Sequence, residues 1–398
     1  MKYGLALMAA ACSPSVDAPA DSNVEAVSIA GTEAMSVYRD TIPDCVDCEI
    51  RLDSVAILGS RLDPIIMQNL PLVAADSKQR FYAATPYRER QDVVLYSQGG
   101  EFVRPVGAQG RGPGEFVRVM ALTVGPGDSL YVVHDRNVVS VFDSAGEYVR
   151  GGAVPTPFME RVIALDNGNL ISFSQLQTPS LYGIPFHVVD SEGNILRSIG
   201  TPNIANFGNM LLRTISAGSD GRLWVAESVN YRIEVMDSLG SIHRVLAVQP
   251  PDSWNLQMYI DRAAAIKVRE RSTKTIVRSD MLKHRPATMP LPPRPAITGM
   301  AEDGEVLWVT IAVPAVGWDT IRVKWDRSTT ELVQQPEMRQ LLYRTAIDAV
   351  DLETGNLVAR HYLDGYAFLD PHGFIFRPHV GADGFISVKV IVPRLQQP

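Results

Sequence analysis

The sequence predicts an all-β protein, a six-bladed β-propeller. Three observations carry that reading: a recurring hairpin, a second strand pair ahead of each hairpin, and chain ends that complete one sheet between them. The hairpin is an alternating strand, Asp, two residues, Gly, and a second strand. It occupies Val139–Arg150, Phe186–Arg197 and Ile233–Ile242, with Asp143, Asp190 and Asp237 spaced 47 residues apart and Gly146, Gly193 and Gly240 three residues beyond them. Asp and Gly supply the turn between two period-2 runs. Looser copies lie at Val93–Val103 and Ala346–Val358.

A second pair of strands precedes each hairpin. Its clearest members are Ser129–Val133, Gly221–Ala226 and Glu305–Thr310. Four strands in a repeat of about 45 residues is the pattern of a propeller blade. Blades are expected at 68–106, 117–152, 159–200, 211–248 and 295–363. A sixth, at 366–392, has only three strands of its own, and Ile50–Leu58 is read as the fourth. Closure of that kind removes the exposed sheet edges of an open array.

Composition agrees with this reading. The chain has 398 residues, 46% of them hydrophobic and 20% charged, with 30 Gly and 27 Pro scattered among short apolar runs. A large core is expected. The formal net charge of −7 argues against generic nucleic-acid binding, which shows as a basic surplus. Beyond the N-terminus no segment approaches the ~20 apolar residues of a membrane span.

Residues 1–12 resemble a bacterial lipoprotein signal: Lys2, a short apolar stretch and small residues before Cys12, the residue that would be lipidated. The match departs at Ala9, where Leu is usual. Residues 13–44, rich in Ser, Ala, Pro and Asp, read as a tether to a propeller spanning 45–398. An exported protein is expected, periplasmic or held at the outer membrane. Cys45 and Cys48 then remain as a pair. Zinc needs about four ligands, and a redox Cys-x-x-Cys normally opens a helix. This pair precedes the alternating run Glu49–Leu58, so a local disulfide is the favoured reading.

Gly107–Phe116, the strand Leu130–Val133 with His134-Asp135-Arg136-Asn137, and the Asp143/Gly146 hairpin together resemble an NHL-type repeat. From about residue 45 onward the chain is similar to bacterial envelope six-bladed propellers of the NHL-like group. Blade 5 departs from the pattern through long inserts, and blade 3 lacks an aromatic strand start. The resemblance implies the fold and no particular activity, because that group is functionally mixed.

Two inserts interrupt the repeat. Residues 250–294 are expected to hold a helix, roughly Trp254 to Lys283, capped by Asp252 or Ser253. Between Asp261 and Arg285 it carries eight basic and three acidic residues. It reads either as a solvated helix on the propeller's side or as a docking arm with a preference for anions. The second insert is 314–343.

Candidate sites are few. The Gly-rich run 107–114 lacks a Gly-Lys-Ser/Thr ending and reads as a turn between blades, and Asp135 reads as a turn cap. Seven histidines are scattered without a helical metal pair. No cofactor is expected. A central divalent metal, as in propeller lactonases and lyases of similar fold, would need carboxylates or histidines where the innermost strands begin, and His372 and His379 are the residual candidates. Arginines stand there instead. Arg118, Arg161 and Arg213 align in one phase, with Arg294 joining them. Guanidinium groups around one channel mouth would suit a carboxylate, phosphate or sulfated-glycan ligand, or an acidic partner loop. The plainer reading pairs each with a neighbour such as Glu115 or Glu160. Two functions follow as expectations: a non-catalytic binding or scaffold propeller, or a metal-dependent hydrolase or lyase.

Overall fold

The computed structural model describes residues 24–27, 35–38, 45, 47–64, 71–84, 92–135, 138–154, 161–173, 186–190, 193–199, 213–227, 231–237, 241–248, 250–251, 295–318 and 336–396. Its body is six four-stranded antiparallel sheets, each in simple up-and-down order. From the channel outwards, blade 1 is Leu72–Ala75, Phe81–Ala84, Val93–Tyr96 and Phe102–Val106; blade 2 is Val119–Gly125, Ser129–His134, Val138–Phe142 and Tyr148–Ala153. Blade 3 is Arg161–Ala164, Leu170–Phe173, Phe186–Val189 and Ile195–Ile199; blade 4 is Arg213–Ala217, Leu223–Glu227, Arg232–Met236 and Ile242–Ala247. Blade 5 is Ala296–Asp303, Val306–Pro314, Tyr343–Asp351 and Leu357–Asp364. Blade 6 takes Phe368–Leu369, Ile375–Val380 and Ile386–Gln396 from the C-terminal end and Glu49–Leu58 from the N-terminal end. The closing register runs from Val388 opposite Leu58 to Gln396 opposite Glu49. The blade boundaries and the closure expected from the repeat are both present.

The repeated Asp and Gly act as turn residues do. Asp143 accepts the N–H groups of Ala145 and Glu147 through one carboxylate oxygen, each at 2.9 Å. Asp190 and Asp237 take the N–H of Asn194 and of Ser241 in the same way. Gly146 sits at φ +74°, a left-handed conformation that costs a residue with a Cβ energy. The outer strand carries one extra residue in all six blades, just after the turn in blades 1 to 5: Val103, Val149, Leu196, His243 and Val358, with Val55 in the closing strand of blade 6. Such bulges increase the twist of the outer strand.

Apolar side chains fill the gaps between blades. Six clusters occupy the six gaps, for example Phe81, Tyr96, Phe374 and Phe376 between blades 6 and 1. Alternate residues of each strand face opposite neighbours, so both faces of a blade are buried.

The two faces of the ring differ. Turns from first to second and from third to fourth strands leave one face and are short. Connections from second to third strands and from blade to blade leave the other. These reach 28 residues within blade 5 (315–342) and 48 between blades 4 and 5 (248–295).

The helix expected at Trp254–Lys283 lies outside the described residues. A helix is described in the second insert: α1, Pro336–Leu342, which buries Met338 and Leu342 against Ala312 and Tyr343. Within the segment read as a tether, Val24–Val27 pairs with Met35–Tyr38 as a hairpin. Cys45 and Cys48 are joined as a disulfide, with Cα atoms 5.3 Å apart, just ahead of the closing strand.

Candidate functional site

Innermost strands begin on the face of the long connections, and this is where the arginines lie. Arg161 and Arg213 open the first strands of blades 3 and 4, and Arg118 immediately precedes that of blade 2. Arg294 and Glu160 lie outside the described residues.

The register corrects the expected alignment. Val124 pairs with Leu130, Ala164 with Leu170 and Ala217 with Leu223, with five residues in each turn. Counting from these turns, Arg161 opposite Phe173 shares its level with Ala121 opposite Val133 and Thr214 opposite Ala226. Arg213, opposite Glu227, shares the next level with Val119, opposite His134. Arg118 lies beyond the last paired level, past an irregularity between Val119 and Ala121. The three arginines therefore share one end of the ring but occupy three successive levels. Arg161 and Arg213 differ by one level although the inner strands of blades 3 and 4 pair without irregularity, and one residue decides which face of a strand a side chain joins.

Hydroxyl groups tie the inner strands together near the same mouth. The Thr214 hydroxyl donates to the Ile297 carbonyl at 2.7 Å, and the Thr298 hydroxyl to the Ala367 carbonyl at 2.9 Å. Helix α1 reaches the mouth from blade 5. Its Arg339 guanidinium lies 4.8 Å from the centre of the Tyr366 ring, and the Gln340 amide donates to the Tyr366 carbonyl.

The Gly-rich segment supplies no anion cradle. The Ala108 and Gly110 N–H groups bond to the carbonyls of Gly114 and Phe116. The Gly112 N–H donates to the Glu115 carboxylate at 2.7 Å, so the segment's own acid fills the place of an external one. This segment is a turn between blades.

His372 and His379 do not come together. His372 belongs to the short turn between the first two strands of blade 6, whereas His379 lies near the far end of the second strand, opposite Ser387. Four levels of strand separate Ile375 from His379, roughly 13 Å. Among the described residues there is no group of three or more His, Cys, Asp or Glu that could hold a metal ion.

Two charged clusters that sequence reasoning missed are structural. The buried Asp348 carboxylate accepts from the Nε and one terminal nitrogen of Arg360, at 2.6 and 2.7 Å, and from the Tyr231 hydroxyl across the gap between blades 4 and 5. Burial would lower the Arg360 pKa, but the bonds and charge of Asp348 outweigh it and hold it above its ordinary value. Burial in turn raises Tyr231. The second is a repeated arginine, one residue beyond each bulge in blades 1 to 4: Arg104, Arg150, Arg197 and Arg244. Arg244 donates to the Leu352 and Glu353 carbonyls in the next blade's turn, and Arg104 reaches Glu147 in the same manner at 3.7 Å. The signal was readable, because Arg150, Arg197 and Arg244 each stand seven residues after the turn Asp.

Comparison with known proteins agrees with this architecture. A family model described as a 6-bladed beta-propeller matches residues 75–235. A Bacteroides vulgatus member of the DUF4221 family superposes over 88% of this chain and 99% of its own, at 12% identity and a TM-score of 0.55. A Bacteroides fragilis protein named for inferred export superposes over 91% and 99%, at 12% identity and a TM-score of 0.53. No curated protein matches the sequence significantly. Repeat, closure, blade packing and these likenesses converge on one architecture: the chain is a six-bladed β-propeller.

Proposed function

We propose that this protein is a non-catalytic recognition propeller of the bacterial envelope, binding an anionic ligand or the acidic surface of a partner at one mouth of its channel. One observation carries the reading. Arg118, Arg161 and Arg213 stand where three consecutive innermost strands begin, on the face that also bears the long connections, in a chain of net charge −7. Local cations on an acidic body focus a positive field where the ligand enters. Variable loops on a rigid scaffold are the usual place for recognition.

Three features support export: the signal-like start ending at Cys12, the Cys45–Cys48 disulfide, which suits an oxidising compartment, and the similarity to a protein named for inferred export. The closing strand enters at Glu49, on the face of the short turns.

The test is the triple variant Arg118→Met, Arg161→Met, Arg213→Met. It is compared with the native protein against a polyuronate, a sulfated glycan and polyphosphate at low and physiological salt. At least a tenfold weakening is expected for whichever polyanion the native protein binds, about 1.4 kcal/mol. Equal binding by both proteins, or no binding by the native one, would refute the anion reading.

A further inference from the structure

The six blades share a position in the outer strand, three residues beyond the bulge, that shows what each gap between blades requires. Counted from the bulge, it is Val106, Gly152, Ile199, Leu246, His361 and Leu58 in blades 1 to 6. Val106, Ile199, Leu246 and Leu58 are buried and belong to the apolar clusters of their gaps. Blade 2 alone has no side chain there. A Cβ on Gly152 would meet no atom within 4 Å.

A cleft of about 40 Å³ lies at this point between blades 2 and 3. Tyr131, Val139, Val141 and Leu170 line its apolar part, and Arg150 and Asp190 stand at its polar end. Gly151 and Gly152 both lie in the outermost strand, and glycine within a strand often marks a place where another chain approaches closely.

We infer that this cleft is a binding pocket for a branched aliphatic side chain, Val or Leu in type, presented by an extended segment of a partner protein. Four of the five other blades name the occupant, since each holds a Val, Ile or Leu at the same level, His361 of blade 5 being the exception. The bare glycine backbone lets a strand approach the edge of blade 2, and the apolar floor rewards burial of the aliphatic group. The cleft opens among the short turns of blade 3, Gly168 and Asp190, and so stands apart from the arginine mouth.

The test uses the full chain labelled with ¹⁵N. N-acetyl-leucinamide and N-acetyl-valinamide are titrated against it, with N-acetyl-glycinamide as the control. Saturable shifts at the Gly151 and Gly152 amides are expected with the two branched probes and not with the control. Gly152→Val restores the repeat's own plug; Gly152 lies outside the left-handed region, so the backbone accepts the change. This variant should melt at a higher temperature than the native protein and bind the leucine probe at least tenfold more weakly. Gly152→Ala, the milder filling, should fall between. Absence of shifts with the branched probes, or equal shifts in the native and Gly152→Val proteins, would overturn the inference.

Discussion

His134 sits between blades 1 and 2 with one ring nitrogen 2.9 Å from the Asp135 carboxylate and the other 2.9 Å from the Ser140 hydroxyl. The order acid, imidazole, hydroxyl resembles a hydrolytic triad, but Ser140 is 3% exposed and the Phe116 ring covers the imidazole at 5.1 Å. The trio clasps the sheet. Burial lowers the His134 pKa, and Asp135 only partly opposes it. An unfolded His takes its proton near pH 6.5, whereas the folded one does so only at lower pH. Stability is therefore full above about pH 6.5 and falls as pH drops from there toward the depressed folded value, by at most about 1.4 kcal/mol per unit. Melting temperatures recorded from pH 7.5 to 5 should show this decline, and His134→Gln should flatten it. At the same scale, Arg244→Ala removes two donated bonds to the turn of blade 5. Net hydrogen bonds from charged groups contribute about 1.5–3 kcal/mol, less where water reaches them, so a loss of about 1–2 kcal/mol in urea unfolding is expected.

Outer strands decide how blades meet. Each turn Asp–Gly, each bulge and each following arginine repeats in register because neighbouring blades must present the same edge to each other. The turn residues and the arginines after them were legible in the sequence as a spacing of 47 residues, and so were the blade boundaries. The bulge itself was not. One unpaired residue leaves no compositional mark, yet a similar irregularity between Val119 and Ala121 changes the number of levels between the turn and Arg118. The closing strand was legible because Glu49–Leu58 alternates and blade 6 otherwise lacks a fourth strand. It carries a direct expectation. A chain beginning at residue 59 leaves the Ile386–Gln396 edge unpaired and opens the cluster that holds Ala56 and Leu58. It should aggregate or fail to give a cooperative thermal transition, whereas a chain beginning at residue 45 should retain one.

Across the whole molecule, short turns and long connections are sorted onto opposite faces by the up-and-down order of the sheets. The proposed anion mouth belongs to the long-connection face. The Gly152 cleft belongs among the short turns, so two ligands of different chemistry would not compete. By itself the sequence determined the all-β class, the number of blades, their boundaries, the turn residues and the pairing of chain ends. Each of these follows from local periodicity or from repetition, which a linear reading can count. Only the tertiary structure decided that the three arginines stand at three different levels, that His372 and His379 stand apart, that Asp348, Arg360 and Tyr231 meet between blades, and that Gly152 leaves a gap. Those outcomes depend on register and on what the next blade places opposite. Residues far apart along the chain settle them, through a one-residue shift that reverses which face a side chain joins.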